Sequence, residues 1–152
     1  MLRIGKLTDY ATVLMTCLAA RPGEVLAASE LAEHAHLELP TVSKLLKQLA
    51  SAGLIDSRRG IRGGYLLARA ATAISVLDIV VALEGPLGMT ECSAVQGSCG
   101  HEPHCRVQGN WRRISRVIES ALANTSLADM LVPEPRPAAR QPRLAPHRAA
   151  AV

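Results

Sequence analysis

Apolar residues near the start of the chain recur at helical steps. Leu7, Tyr10, Ala11, Leu14 and Leu18 fall three and four residues apart, which predicts an amphipathic helix over residues 4–20, closed by Pro22-Gly23. A short second helix over 28–35 turns Leu31 and Ala32 inward. A third opens at Pro40, where a missing N–H costs nothing, and stops at Gly53. Its buried stripe is Val42, Leu45, Leu46 and Leu49, and its opposite face carries Thr41, Ser43, Lys44, Lys47 and Gln48. Leu54–Ser57 and Tyr65–Ala68 then read as two strands of a hairpin around Arg58-Arg59-Gly60-Ile61-Arg62-Gly63-Gly64.

A fourth helix over 75–84 is bracketed by a Ser75/Asp78 capping pair and by Gly85-Pro86. Periodicity disappears over 86–105, a loop holding three cysteines. It returns over 106–124, where Val107, Trp111, Ile114, Ile118, Ala121 and Thr125 step by four and three. That narrow seam on a charged helix suits packing against a second copy of the same helix. Ser126-Leu127-Ala128-Asp129 predicts one final turn. Five of the nine prolines and four arginines crowd into 133–152, a composition that predicts a disordered tail.

The expected fold class is therefore mainly α: a winged helix-turn-helix DNA-binding domain with a two-stranded wing, plus a long dimerisation helix. Its units are residues 1–85 for DNA binding, 86–105 for the cysteine loop, 106–132 for the dimerisation helix and final turn, and 133–152 for the tail.

Composition narrows the function. An apolar content of 49% is enough for a core, but the aromatics are only Trp111, Tyr10 and Tyr65, too few for the stacking platforms of single-strand binders. Net charge is +4, unevenly spread: residues 41–69 hold Lys44, Lys47, Arg58, Arg59, Arg62 and Arg69 against Asp56 alone, a local excess of five. Such a footprint suits double-stranded DNA, with Thr41, Ser43, Lys44, Lys47 and Gln48 in the major groove and Arg58, Arg59 and Arg62 on the wing. No apolar run reaches the ~18–20 residues of a membrane span, and the N-terminus lacks a signal-peptide pattern. A cytoplasmic chain is expected. No histidine is placed to orient a nucleophilic cysteine, so neither an enzyme nor a small-molecule substrate is expected.

Cys92, Cys99 and Cys105 form C-x6-C-x5-C. In a reducing compartment this spacing points to thiolate coordination of a soft metal centre, foremost an iron–sulfur cluster. Zinc and a metal-free thiol redox switch are the alternatives. The fourth ligand is open among His101, His104 and Asp9, while Cys17 reads as a small buried hydrophobe.

Several motifs carry a resemblance across residues 1 to 132: Leu7-Thr8-Asp9-Tyr10-Ala11, Ser57-Arg58-Arg59-Gly60 leading into Gly63-Gly64-Tyr65-Leu66-Leu67-Ala68, the three-cysteine loop, and Trp111-Arg112. Together they resemble the Rrf family of winged-helix regulators, the IscR, NsrR and RirA group, most closely its regulators of SUF iron–sulfur assembly genes. The resemblance implies a homodimer with crossed long helices and a cluster, [2Fe–2S] or [4Fe–4S], on Cys92, Cys99 and Cys105. Arg59 matches the arginine that family members place in the minor groove. One branch completes its site with a histidine three residues past the last cysteine, where this chain has Gln108. Another branch uses an aspartate on the partner's first helix, which Asp9 matches, so the partner's Asp9 is the expected fourth ligand and His104 the second choice. The function implied is a repressor of iron–sulfur assembly genes that senses cluster status.

Overall fold

The computed structural model describes residues 3–132; the expected tail over 133–152 lies outside them. Helix α1 spans Lys6–Ala19 and buries Thr8, Ala11, Leu14, Met15, Leu18 and Ala19. Leu7, expected inward, is 42% exposed. The inward face begins instead at Thr8, whose hydroxyl donates to Glu84 Oε1 at 2.6 Å while the Gly5 N–H donates to the same oxygen at 2.8 Å. A carboxylate thus sits at the helix N-terminus, where unpaired N–H groups and the macrodipole favour it.

Helix α2 (Ala28–Ala35) buries Leu31 and Ala32 and ends at His36 in the left-handed region (φ +52°). Helix α3 (Leu39–Ser51) has Pro40 in its first turn and leaves no solvent contact to Val42, Leu45, Leu46 or Leu49. Gly53 (φ +70°) ends it, as expected for a residue with no Cβ penalty there. Helices α1, α2 and α3 pack on one another around a single core.

Strands β1 (Ile55–Arg58) and β2 (Gly64–Leu67) pair antiparallel, Ile55 opposite Leu67 and Arg58 opposite Gly64, within one residue of the expected hairpin. A third segment joins them. The Leu26 N–H donates to Tyr65 O at 2.9 Å and the Tyr65 N–H donates back to Leu26 O at 2.8 Å. Gly64 makes this close approach possible, because a Cβ there would lie 2.4 Å from Leu26 O.

Helix α4 (Val76–Glu84) opens on the expected pair: the Asp78 N–H donates to Ser75 Oγ at 3.1 Å and the Ser75 N–H to Asp78 Oδ2 at 2.9 Å. The segment expected to be a plain loop contains a short helix, α5 (Glu91–Ala94), and a 3-10 turn at Glu102–His104. Each is too short to leave a periodic signal. Helix α6 (Gln108–Ala123) then packs against α4 and α5. Beyond it the chain returns to the core: Leu127 is fully buried, its N–H donates to Ile74 O at 2.7 Å, and Val76 N–H donates to Thr125 O at 2.8 Å. The expected final turn is present as a 3-10 turn at Asp129–Leu131, with the Ser126 hydroxyl bonded to the Asp129 carboxylate at 2.6 Å.

Candidate nucleic-acid interface and cysteine segment

Helix α3 turns its apolar stripe wholly into the core, so its remaining face is free for other contacts. Lys44 and Lys47 are exposed; Thr41 and Ser43 are half-buried. Gln48 is half-buried beside Ala82 of α4, and its Oε1 is enclosed with no hydrogen-bond partner among the described residues. Strand β1 packs against α3, which fixes the root of the wing against that helix. Arg58, Arg59 and Arg62 are all exposed, and none forms an ion pair among the described residues. The tip is a tight turn: Gly60 has φ +112° and accepts from the Gly63 N–H at 2.9 Å. Exposed guanidinium groups with no ion-pair partner among the described residues are open to phosphate.

The three clustered cysteines are free thiols. Cys92 lies on α5 and is buried, with its Sγ 3.3 Å from Thr90 Oγ1. Cys99 and Cys105 are half-buried. Among the described residues, no three Cys, His, Asp or Glu side chains converge closely enough to hold a metal ion within one chain. His101 and His104 are both exposed, their rings 6.4 Å apart. Asp9 is exposed on α1 in a shallow hollow with Arg3, Ile4 and Lys6, and its carboxylate has no partner among the described residues. Cys17, apart from the others on α1, is half-buried, and burial pushes its thiol up against a smaller opposing pull from Arg21.

A polar knot ties this segment to α6. The Glu102 carboxylate accepts from the Arg112 guanidinium, from the Gln108 amide and, at 2.8 Å, from the Gly97 N–H. Arg112 Nε also donates to Cys92 O at 3.3 Å. Ser115 of α6, buried, accepts from the Met89 N–H at 3.1 Å. The motif reading singled out Arg112 only as the neighbour of Trp111 and missed Glu102, Ser115 and Glu84 altogether. Ser115 and Glu84 are committed to partners distant in sequence and Glu102 to partners across a turn of irregular chain, none of which periodicity can reveal. Along α6, Val107 (51%), Trp111 (37%) and Ile114 (41%) remain exposed, as does Ala121, while Ile118 is half-buried.

The donor chemistry suits a cluster: three soft thiols within one short segment, on backbone held by a few polar contacts rather than by a core. No helix among the described residues is long and apolar enough to cross a membrane.

Comparison with known proteins agrees with this architecture. A family model described as Rrf2, iron-dependent transcriptional regulator, matches residues 4–133. The HTH-type transcriptional regulator IscR of Erwinia tasmaniensis is 31% identical over 153 residues, covering 96% of this chain and 92% of its own. Among solved structures, CymR, the global cysteine regulator of B. subtilis, superposes with a TM-score of 0.69 at 30% identity, over 86% of this chain and 97% of that one. T. potens IscR superposes at 0.64 and 30% identity, over 86% of each chain. With a helix-turn-helix, a basic wing and a long terminal helix in place, and with regulators rather than enzymes as its relatives, the chain belongs to the Rrf2 family of winged-helix transcription regulators.

Proposed function

We propose that this chain is a cytoplasmic, homodimeric repressor of iron–sulfur assembly (SUF) genes, whose grip on its operator reports the state of a cluster held by Cys92, Cys99 and Cys105. The observation that carries the reading is the knot joining the cysteine segment to α6: Arg112 reaches both Glu102 and the Cys92 carbonyl, a route by which a rearrangement around the thiols would reach the long helix. A cluster, when bound, supplies a redox- and iron-sensitive link among the three sulfurs. The partner's Asp9 is the proposed fourth ligand, with His104 behind it. Gln108 stands where one branch of the family has a histidine, and its amide is already engaged by Glu102.

The proposed working units are residues 1–85 for DNA, 86–105 for the cluster and 106–132 for dimerisation. The seam of Val107, Trp111, Ile114, Ile118 and Ala121 meets its counterpart in the second copy, which sets the two α3 helices about one DNA turn, ~34 Å, apart. Thr41, Ser43, Lys44 and Lys47 face the major groove, with Gln48 at the margin of that surface because its Oε1 is enclosed beside α4; Arg58, Arg59 and Arg62 track the backbone and minor groove. Cluster occupancy orders or frees residues 86–105 and so shifts the population competent for the operator. The SUF target rests on the resemblance carried by the sequence motifs.

The test is oxygen-free purification with assays for iron, acid-labile sulfide and visible absorption, repeated on Cys92→Ala. Coloured wild-type protein with operator affinity that changes on cluster loss, and a Cys92→Ala protein that has lost the response, is the expected result. Colourless, iron-free protein that regulates normally sinks the cluster. A second reading, zinc or a metal-free thiol switch, is favoured by the likeness to a cysteine regulator. It keeps the DNA chemistry and predicts reversible thiol oxidation, or bound zinc, in that colourless protein.

A further inference from the structure

Charge alone does not account for the tip of the wing. Ile61 stands there with its side chain wholly in solvent, at 108% relative exposure. Turn tips favour Gly, Asn, Asp and Pro, each for a conformational reason that a β-branched apolar side chain does not share. Nor is Ile61 there for packing, since so exposed a side chain contributes nothing to the core. Its position is nonetheless fixed. The Gly63 N–H closes the turn onto Gly60 O at 2.9 Å, and Gly63 is so enclosed that a Cβ would lie 2.6 Å from Arg58 O. Ile61 therefore projects from a built turn, with Arg58, Arg59 and Arg62 exposed around it and in no ion pair among the described residues.

A single exposed apolar residue is ordinary on a protein surface. One that shares its hairpin with three exposed arginines is less so, because whatever covers it must also meet those charges. A second wing would repel the first, and an apolar protein surface would leave the arginines desolvated. A DNA groove satisfies both demands: phosphates line its edges, and a base step that unstacks at its floor offers an apolar base face.

We propose that Ile61 is an apolar wedge that enters the minor groove between the wing arginines and presses on one base step. This rests on the reading of the wing as a DNA contact and assigns the wing a second task, selecting sequence by deformability. The arginines attract any duplex, whereas a wedge is accommodated most readily at pyrimidine–purine steps, which unstack most easily. Operators of this chain should carry a TA or CA/TG step under the wing.

The experiment uses the full chain and a duplex selected by it from a random-sequence pool, with 2-aminopurine placed in turn at each step beneath the wing. Wild-type protein should raise the fluorescence at one step. Ile61→Ala should abolish that rise and bind about tenfold more weakly, ~1.4 kcal/mol. Its salt dependence should match wild type, since no charge is removed. Ile61→Leu should restore both readouts, and thermal melting of all three proteins should coincide. Ile61→Ala binding as tightly as wild type, or a fluorescence rise that survives it, overturns the wedge and leaves the DNA reading intact. A change of oligomeric state in Ile61→Ala at unchanged affinity also overturns it, assigning the residue to a contact between copies. Wild-type protein that selects no duplex in a salt-dependent manner overturns the DNA reading and the wedge together.

Discussion

Val42, Leu45, Leu46 and Leu49 of α3 are removed from solvent entirely, whereas the segment from Pro86 to Cys105 contributes one buried side chain, Cys92. The first region is held by close-packed apolar burial, which is strong, non-directional and shared among many neighbours. The second is held by a few directional contacts: Glu102 with Arg112, Gln108 and Gly97, and Met89 with Ser115. A part that must present a reading surface in one geometry needs the former. The proposed sensor, which would change with the state of its thiols, needs the latter, because segments with few buried contacts open at low free-energy cost.

Four substitutions test the contrast. The largest effect belongs to the core: Leu46→Ala should destabilise the fold by about 2–5 kcal/mol, read by denaturant unfolding. Below the unfolding transition, alkylation rates of Cys99 and Cys105 should stay as in wild type; if they rise in step, the two regions are one cooperative unit. Arg59→Ala touches neither packing nor the knot. It should cost about 1–3 kcal/mol of operator affinity with a shallower salt dependence and an unchanged melting temperature, measured by binding titrations at several salt concentrations.

Ser75→Ala removes the cap of α4 and should cost about 1 kcal/mol. This loss depends on pH. Burial pushes the Asp78 carboxyl up, but hydrogen bonds from Ser75 and Arg69, with the Arg69 charge, outweigh it and hold the group below its ordinary value. A carboxyl lowered in the fold contributes stability above its unfolded value and loses it as pH falls through the folded one. The gap between Ser75→Ala and wild type should therefore narrow in acid, and a gap constant from neutrality to strong acid would show that Asp78 does not carry the cap.

The smallest effect on stability is expected from Arg112→Gln. The Arg112–Glu102 pair is partly exposed, so its loss should cost no more than about 1 kcal/mol. Alkylation of Cys99 and Cys105 should nonetheless accelerate. A large drop in melting temperature would make the knot a structural element rather than a local tether.

How legible each region was from sequence follows the same division. The stripe of α3, the glycine-rich wing and the Ser75/Asp78 pair were readable because periodicity and capping are local rules. Leu7 misled because helical spacing fixes a stripe only to within one residue; Thr8 took the inward place through Glu84, far along the chain. Leu127 was read only as part of a final turn, yet it fills the core, since one leucine in a short polar stretch has no period. The three cysteines were visible as a spacing. That Glu102 and Arg112 hold them to α6 was not, because an ion pair between irregular chain and the following helix has no fixed spacing to read.

The reciprocal bonds between Leu26 and Tyr65, with no room at Gly64 for a side chain, fasten the hairpin to the turn ahead of α2. The wing is thereby tied to the start of α2 as well as to α3, against which β1 packs. On the proposed reading of the wing and α3 as DNA contacts, targets should share one fixed interval between the bases beneath the helix and those beneath the hairpin.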